Sequence, residues 1–291
     1  MTASDPLAPY RGRLLGLAYR MLGSRTESED VLQDAWLRFA GATGIQNAEA
    51  FLVVTVTRLC LDRLKSARTQ REIYVGPWLP EPVIDTAALS PEARTELADD
   101  LSFALLLALE RLTPPERAAF LLHDVFDMPF GEVATVLARS EAACRQLASR
   151  ARKAVRADRP SSSASADKHA ELVSAFMQAV GEGDIAKLTA FLQEDAALIA
   201  DGGGVKIAAL NVITGADRIA RFFAGVSRKS WGAGARLEGR RQTINGEPGY
   251  LLFLDGELEQ TMSFAVREGR IEAIYVVRNP EKLTGVGRSL H

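Results

Sequence analysis

Arg145, Ser149, Arg152 and Arg156 stand at offsets 0, 4, 7 and 11, which puts four polar side chains, three of them cationic, on one stripe of a helix. Cys144, Leu147, Ala148, Ala151 and Val155 fill the opposite side, so such a helix packs by one face and offers the basic face to solvent. A helix of this shape fits the major groove of B-DNA. Its first residues reach base edges, while basic residues further along hold phosphates. Glu141, Arg145 and Gln146 are then the base-reading candidates, with Ser149 and Arg150 beside them. A bidentate base contact discriminates by about 1–3 kcal/mol. Taken alone, the stripe equally describes a solvated surface. The preceding elements favour DNA: Thr113-Pro-Pro-Glu116 is a strong helix start, a short apolar helix carries Val133, Ala134, Val136 and Leu137, and Ser140 caps the basic helix. Helix, tight turn and helix is the arrangement that presents a recognition helix.

A second basic stripe comprises Arg58, Asp62, Lys65 and Arg68, with Arg63 and Arg71 adjoining. Beside it in sequence, Glu29–Arg38 reads as an acidic amphipathic helix carrying Trp36. Its start is expected at Thr26, three residues before Glu29 in a capping-box pattern, and Asn47 is expected to cap the helix after it. Residues 51–57 are β-branched enough to pass for a strand, but the 3.6-residue period continues to Lys65 and favours helix. The formal net charge of −2 hides this organisation. Residues 1–75 hold 10 Lys and Arg against 8 Asp and Glu, residues 139–159 hold 7 against 2, and residues 76–110 between them hold 1 against 7. Polyanions respond to the local field, so the regional balance outweighs the total.

The composition excludes several classes. Two cysteines make neither a disulfide framework nor an all-cysteine metal site, and three scattered histidines give no metal-ligand spacing, so no metal or cofactor is expected. No apolar run approaches the roughly 18 residues of a membrane span, and no basic segment leads into a cleavable apolar core near the start. A cytoplasmic protein is expected, with no membrane partner. A proline-rich acidic bridge over 76–98 and a serine-rich joint over 160–168 separate three parts, 1–75, 99–159 and 169–291. The last changes class. Helical patterns around Leu172–Val180, Ile185–Leu192 and Ile219–Val226 precede strands near 235–244, 249–254, 257–266 and 270–277. A hairpin-like pair, 196–200 and 205–213, is expected around Asp201-Gly-Gly-Gly204. The expected fold is therefore multidomain: two all-α helical domains followed by an α+β domain with its helices on one face.

The order of these parts resembles an extracytoplasmic-function (ECF) sigma factor, the promoter-recognising subunit of bacterial RNA polymerase. Residues 10–72 and 99–157 resemble its regions 2 and 4 through Glu29–Arg38, Thr57–Lys65, Leu109–Phe120 and Ser140–Arg152. Tyr74–Pro82, Asp201–Gly204 and Asn279–Leu283 look like signatures of the subgroup with a fused, cone-shaped SnoaL-like C-terminal domain. The resemblance implies core RNA polymerase and promoter DNA as partners. It implies polymerase contacts at Asp34, Trp36, Leu37 and Arg38, and capture of the opened −10 element by Arg58, Asp62, Arg63, Lys65 and Arg68. It also implies reading of the −35 element by Ser140, Glu141, Arg145, Gln146, Ser149, Arg150, Arg152 and Lys153. Many such helix-turn-helix turns carry a glycine where this chain has Ala138 or Arg139, and Val53-Val54 stand where a tryptophan often precedes the −10 helix.

Two promoter elements of this family lie about 25 base pairs, roughly 80 Å, apart. A compact chain of this length is only ~50 Å across. Regions 2 and 4 must therefore part on the polymerase, and Gly76–Ser90 can reach at most about 50 Å. The C-terminal domain is expected to oppose this by holding the linker (Trp78, Leu79, Pro80, Glu81, Pro82). Asp201, Gly202, Gly203, Gly204 and Lys206 would act from one side, and Asn279, Pro280, Lys282 and Leu283 from the chain's end. No enzyme is expected, because no histidine lies between 170 and 290 and Asp201 opens a glycine run that reads as turn chemistry. Asp201 with Arg218 or Arg236 is the one pair imitating a hydrolase site. The alternative is a helix-turn-helix regulator whose C-terminal cone binds a small molecule or retains residual activity.

Overall fold

The computed structural model describes residues 8–72, 74–84, 100–158, 166–232 and 236–289. Two compact units emerge: residues 1–73 with 85–159, and residues 74–84 with 160–291.

The first unit is all helical. Helices α1 (Arg11–Leu22), α2 (Arg25–Ala40) and α3 (Ala48–Glu72) precede α4 (Phe103–Glu110), α5 (Pro114–Phe120), α6 (Phe130–Leu137) and α7 (Glu141–Asp158). Leu14, Leu17 and Met21 of α1, Val31 and Leu32 of α2 and Leu52, Val56 and Cys60 of α3 are all buried. Helix α2 begins two residues before the expected start. Gly23, at φ 71°, closes α1, and the next residue, Ser24, is extended and accepts a hydrogen bond from the Glu27 amide at 3.1 Å. Thr26 is already inside the helix. Asn47 caps α3 as expected, accepting from the Ala50 amide at 3.0 Å. The β-branched start of α3 is helical: Thr55 and Thr57 return their hydroxyls to the carbonyls of Phe51 and Val53 at 2.8 and 2.7 Å, so burial leaves neither unpaired.

In the helix-turn-helix, α5 runs into a single π turn, Leu121–Val125, which the sequence pattern does not announce. Between α6 and α7, Ala138 is left-handed (φ 52°, ψ 47°), the conformation for which a glycine is commonly used. A side chain bearing Cβ is strained there by about 1–2 kcal/mol. Ala138→Gly is therefore expected to stabilise the helical unit by about 1 kcal/mol after the entropy cost of glycine. Urea unfolding checks this, and a lowered midpoint counts against it.

Helices α1–α3 and α4–α7 are packed together within this unit. Arg117 of α5, 3% exposed, donates to the Met21 carbonyl at the end of α1 and pairs with Glu110 at 3.2 Å. Arg13 of α1 reaches the Phe126 carbonyl at 3.0 Å. Burial disfavours charge on Arg117 and brings it down to about 10, so it keeps its proton at neutral pH.

The second unit places helices α8 (Ala166–Glu182), α9 (Ile185–Phe191) and α10 (Ala216–Gly232) on one face of a six-stranded sheet. The strands are β1 (Leu192–Asp201), β2 (Ile213–Thr214), β3 (Leu237–Ile244), β4 (Glu247–Leu254), β5 (Glu257–Arg267) and β6 (Arg270–Val277), ending in helix α11 (Pro280–Ser289). Their order is β2-β1-β6-β5-β4-β3; β1 and β6 run parallel and the other neighbours antiparallel. Phe176, Phe223 and Phe264 meet edge-on at the core, with Leu198, Met262 and Ile274 around them.

The expected hairpin at 196–213 does not form. The amides of Val205 and Lys206 both turn back to the Gly202 carbonyl, bending the chain out of the ladder, and only Ile213 and Thr214 return to pair with β1. The segment Tyr74–Ile84 forms neither helix nor strand and belongs to this unit.

Candidate nucleic-acid interface and linker clamp

The recognition stripe forms as the periodicity requires. Ser140 caps α7 through the Ala143 amide at 3.2 Å, and Glu141, Arg145, Gln146, Ser149, Arg150 and Lys153 are exposed, while Cys144, Leu147 and Ala148 are buried. Arg145 pairs with Glu141 at 2.7 Å and lies over the Phe130 ring at 5.3 Å, so the leading basic side chain is held near the start of the helix. Arg150 pairs with Glu116 at 3.3 Å. Arg152 is different: half-buried, it bonds Asp124 at 2.5 Å and ties α7 to the π turn that follows α5.

On α2, Leu37 is 64% exposed, Arg38 is exposed, and Trp36 lies half-buried beside Phe39 with ring centroids 5.9 Å apart. Arg58, Asp62 and Lys65 are exposed, the last two paired at 2.8 Å. Arg63 turns instead to α2, bonding the Glu27 carbonyl at 2.8 Å and Asp34 at 3.1 Å. One residue expected on DNA and one expected on polymerase thus hold each other. The Arg68 side chain lies outside the described residues.

The linker residues converge on one buried carboxylate. Asp201, at the end of β1, has no exposed surface and accepts four hydrogen bonds. Oδ1 receives the Tyr74 hydroxyl at 2.6 Å and the Gly203 amide at 3.0 Å; Oδ2 receives the Leu79 amide at 2.9 Å and Lys282 Nζ at 2.7 Å. Lys282 also donates to the Leu79 carbonyl at 2.6 Å and lies over the Trp78 ring at 4.4 Å. Asn279 donates to Tyr74 Oη at 3.0 Å and accepts from the Glu281 amide at 3.1 Å, joining the linker to the first turn of α11. Burial, then the bond to Asp201, raises the Tyr74 hydroxyl, which keeps it a donor throughout the neutral range.

Two glycines are needed at this point. A Cβ on Gly202 would stand 2.2 Å from the Lys206 carbonyl, and one on Gly203, at φ 63°, would stand 2.5 Å from the Asn279 side chain. Further along the linker, Leu79, Pro80, Glu81, Pro82 and Val83 are buried, and Val83 exchanges two hydrogen bonds with Asn245, at 2.9 and 2.7 Å.

Most residues expected at this contact are brought together. Lys206 is not: it pairs with Glu259 at 2.8 Å, because the turn around Gly202 aims its side chain toward β5. Asp201 meets Lys282 and not Arg218 or Arg236, so the hydrolase-like pair is not assembled. Pro280 is exposed as the first residue of α11, and Leu283 is buried. Tyr74 and Asn245 were outside the expected set. Asn245-Gly246 is a readable type I′ turn pair, but nothing local says that its side chain serves a distant segment.

Residues 7–70 match the Sigma-70 region 2 family and residues 102–155 match Sigma-70, region 4. The ECF RNA polymerase sigma factor SigJ of Mycobacterium tuberculosis is 40% identical over 285 residues, covering 94% of this chain and 91% of SigJ. The chain is an ECF sigma factor. SigI of the same species is 31% identical over 291 residues, covering 97% of each chain. The crystal structure of SigJ superposes with a TM-score of 0.75 at 36% identity, covering 95% of this chain and 96% of that one. The shared span runs through the C-terminal helix-and-sheet domain, so that domain is part of what this sigma factor has in common with SigJ. As an ECF sigma factor the protein binds core RNA polymerase and directs transcription initiation at promoters. Among the described residues, no helix is long and apolar enough to cross a membrane.

Proposed function

We propose that this sigma factor is restrained in cis: its C-terminal domain fastens the linker between regions 2 and 4 and so opposes their separation on promoter DNA. The observation that carries this reading is the Asp201 carboxylate, which holds Tyr74, Leu79 and Lys282 at once. Engagement of both promoter elements needs regions 2 and 4 roughly 80 Å apart, whereas in the free protein they pack through buried Arg117. In this reading Asp34, Trp36, Leu37 and Arg38 serve polymerase. Arg58, Asp62, Arg63, Lys65 and Arg68 serve the −10 strand, and Arg63 is released from Asp34 when polymerase takes α2. Ser140, Glu141, Arg145, Gln146, Ser149, Arg150 and Lys153 face the −35 element. The C-terminal domain acts by binding and not as an enzyme, since its one candidate carboxylate is saturated by structural donors. The protein works where the polymerase is, in the cytoplasm.

The test is transcription by core RNA polymerase reconstituted with the full chain on the region upstream of its own gene. Lys282→Ala removes charge-assisted bonds worth about 1.5–3 kcal/mol and lengthens the time the linker spends free. Initiation is expected to rise several-fold. Unchanged output contradicts the restraint, and reduced output means that the fastened linker is the active form.

A further inference from the structure

Away from the Asp201 knot, the C-terminal unit holds a cavity of about 550 Å³ between its sheet and two helices. That volume lies within the roughly 300–1,000 Å³ of small-molecule sites. Strand register builds its floor as two rows, Gly239–Leu252–Gln260 and Arg241–Tyr250–Met262, across β3, β4 and β5. Ser174 and Met177 of α8 and Phe223 and Val226 of α10 complete the walls. Gly239 leaves the first row low, because a Cβ there would press on Leu252 at 3.2 Å.

The charge of the lining is one-sided. Arg241 is the cation among the described lining residues, and none of them is Asp or Glu. Its Nε donates to the Tyr250 hydroxyl at 3.2 Å, which sets the guanidinium on the exposed edge of the second row without neutralising it. Arg241 forms no ion pair among the described residues, in contrast to Arg240 beside it, which pairs with Glu238 at 2.7 Å and lies over Phe253. Among the lining groups, Gln178 donates to the Glu182 carboxylate at 2.9 Å, and that carboxylate is also held by Lys187. The polar groups that remain, two serines, Gln260 and the tyrosine hydroxyl, suit an oxygen-bearing head.

We propose that this cavity binds an amphiphilic monocarboxylate, its apolar body against Met262, Leu252 and Phe223 and its carboxylate on Arg241 and Tyr250. An unbranched or aromatic body suits the two methionines, whose flexible thioethers adapt to different shapes. A guanidinium and a phenol side by side match the planar, two-oxygen geometry of a carboxylate better than they match a neutral alcohol. This assignment depends on the fold of the C-terminal unit and on no part of the transcriptional reading.

Titration calorimetry of the full chain with decanoate tests it. Decanoate is expected to saturate one site per chain, and octanoate, two methylenes shorter, to bind about fifteenfold more weakly at roughly fourfold per methylene. Arg241→Gln is expected to weaken decanoate about tenfold while leaving decanol unchanged, and Val226→Trp, at a half-exposed wall position, to abolish binding of both. Circular dichroism confirms that the two variants are folded. Absence of saturation, or decanoate binding that survives Val226→Trp, overturns the site. Decyltrimethylammonium binding as tightly as decanoate overturns the carboxylate assignment. Because none of these measurements involves polymerase, failure here leaves the restraint model standing, and failure of that model leaves the cavity assignment standing.

Discussion

Asp201→Ala is expected to release the linker from the C-terminal domain. The substitution leaves the Leu79 and Gly203 amides and the Tyr74 hydroxyl without their acceptor, and it takes the counter-charge from Lys282, whose side chain is only 14% exposed. Removing one partner of a buried ion pair typically costs about 3–5 kcal/mol, and two of the groups that lose their acceptor, Tyr74 and Leu79, belong to the linker. The loss therefore appears first as local opening of 74–84, and unfolding of the β-sheet shifts less. Amide exchange separates the two: the Leu79 amide is expected to lose protection by at least two orders of magnitude, while amides of β5 and β6 keep most of theirs. Asp201→Asn retains one acceptor oxygen without the charge and is expected to fall between. Retention of wild-type protection at Leu79 in the alanine variant would show that Asp201 does not hold the linker.

The second large effect is expected at Arg117. Its guanidinium bridges the Met21 carbonyl of region 2 and Glu110 of region 4 at a site with almost no water access. Arg117→Met keeps most of the aliphatic volume and removes the bridge, taking this donor from the buried Met21 carbonyl and this cation from Glu110. Bonds from a charged group are worth about 1.5–3 kcal/mol each, so docking of the two regions is expected to weaken by that order or more. Small-angle scattering is expected to give a larger radius of gyration for the variant, with helix content unchanged by circular dichroism. If the radius stays at the wild-type value, the remaining contacts, Arg13 to the Phe126 carbonyl among them, keep the regions together without Arg117. The linker clamp and the Arg117 bridge hold different groups, so the double variant Asp201→Ala/Arg117→Met also shows whether their effects add.

Much of this was readable from residue order. The period of Arg145, Ser149, Arg152 and Arg156 fixes a basic face on any helix that buries Cys144, Leu147 and Val155, and the structure keeps that face outward except at Arg152. The four strands from 237 to 277 were legible from alternation and from turn pairs such as Asp255-Gly256. The start of α2 was misplaced because Ser24 and Thr26 have equal capping chemistry, and only the left-handed Gly23 selects the first. The hairpin at 205–213 was misread because residues of strand-like type fill it, whereas the Gly202 carbonyl captures two successive amides and turns the chain away.

The sequence by itself determined the elements and their faces, because those follow from side-chain period, caps and backbone preferences acting over a few residues. It also pointed to the linker, Asp201 and Lys282 as parts of one contact. Only the tertiary structure decided how they meet: a carboxylate at the end of β1 gathers donors 122 and 127 residues before it and 81 after it. The same holds for Arg63 facing Asp34, Lys206 facing Glu259, and Val83 facing Asn245. A charge or an amide carries no local mark of its partner. Burial sets the choice, by making an unpaired polar group too costly and leaving one arrangement in which each of these groups is satisfied.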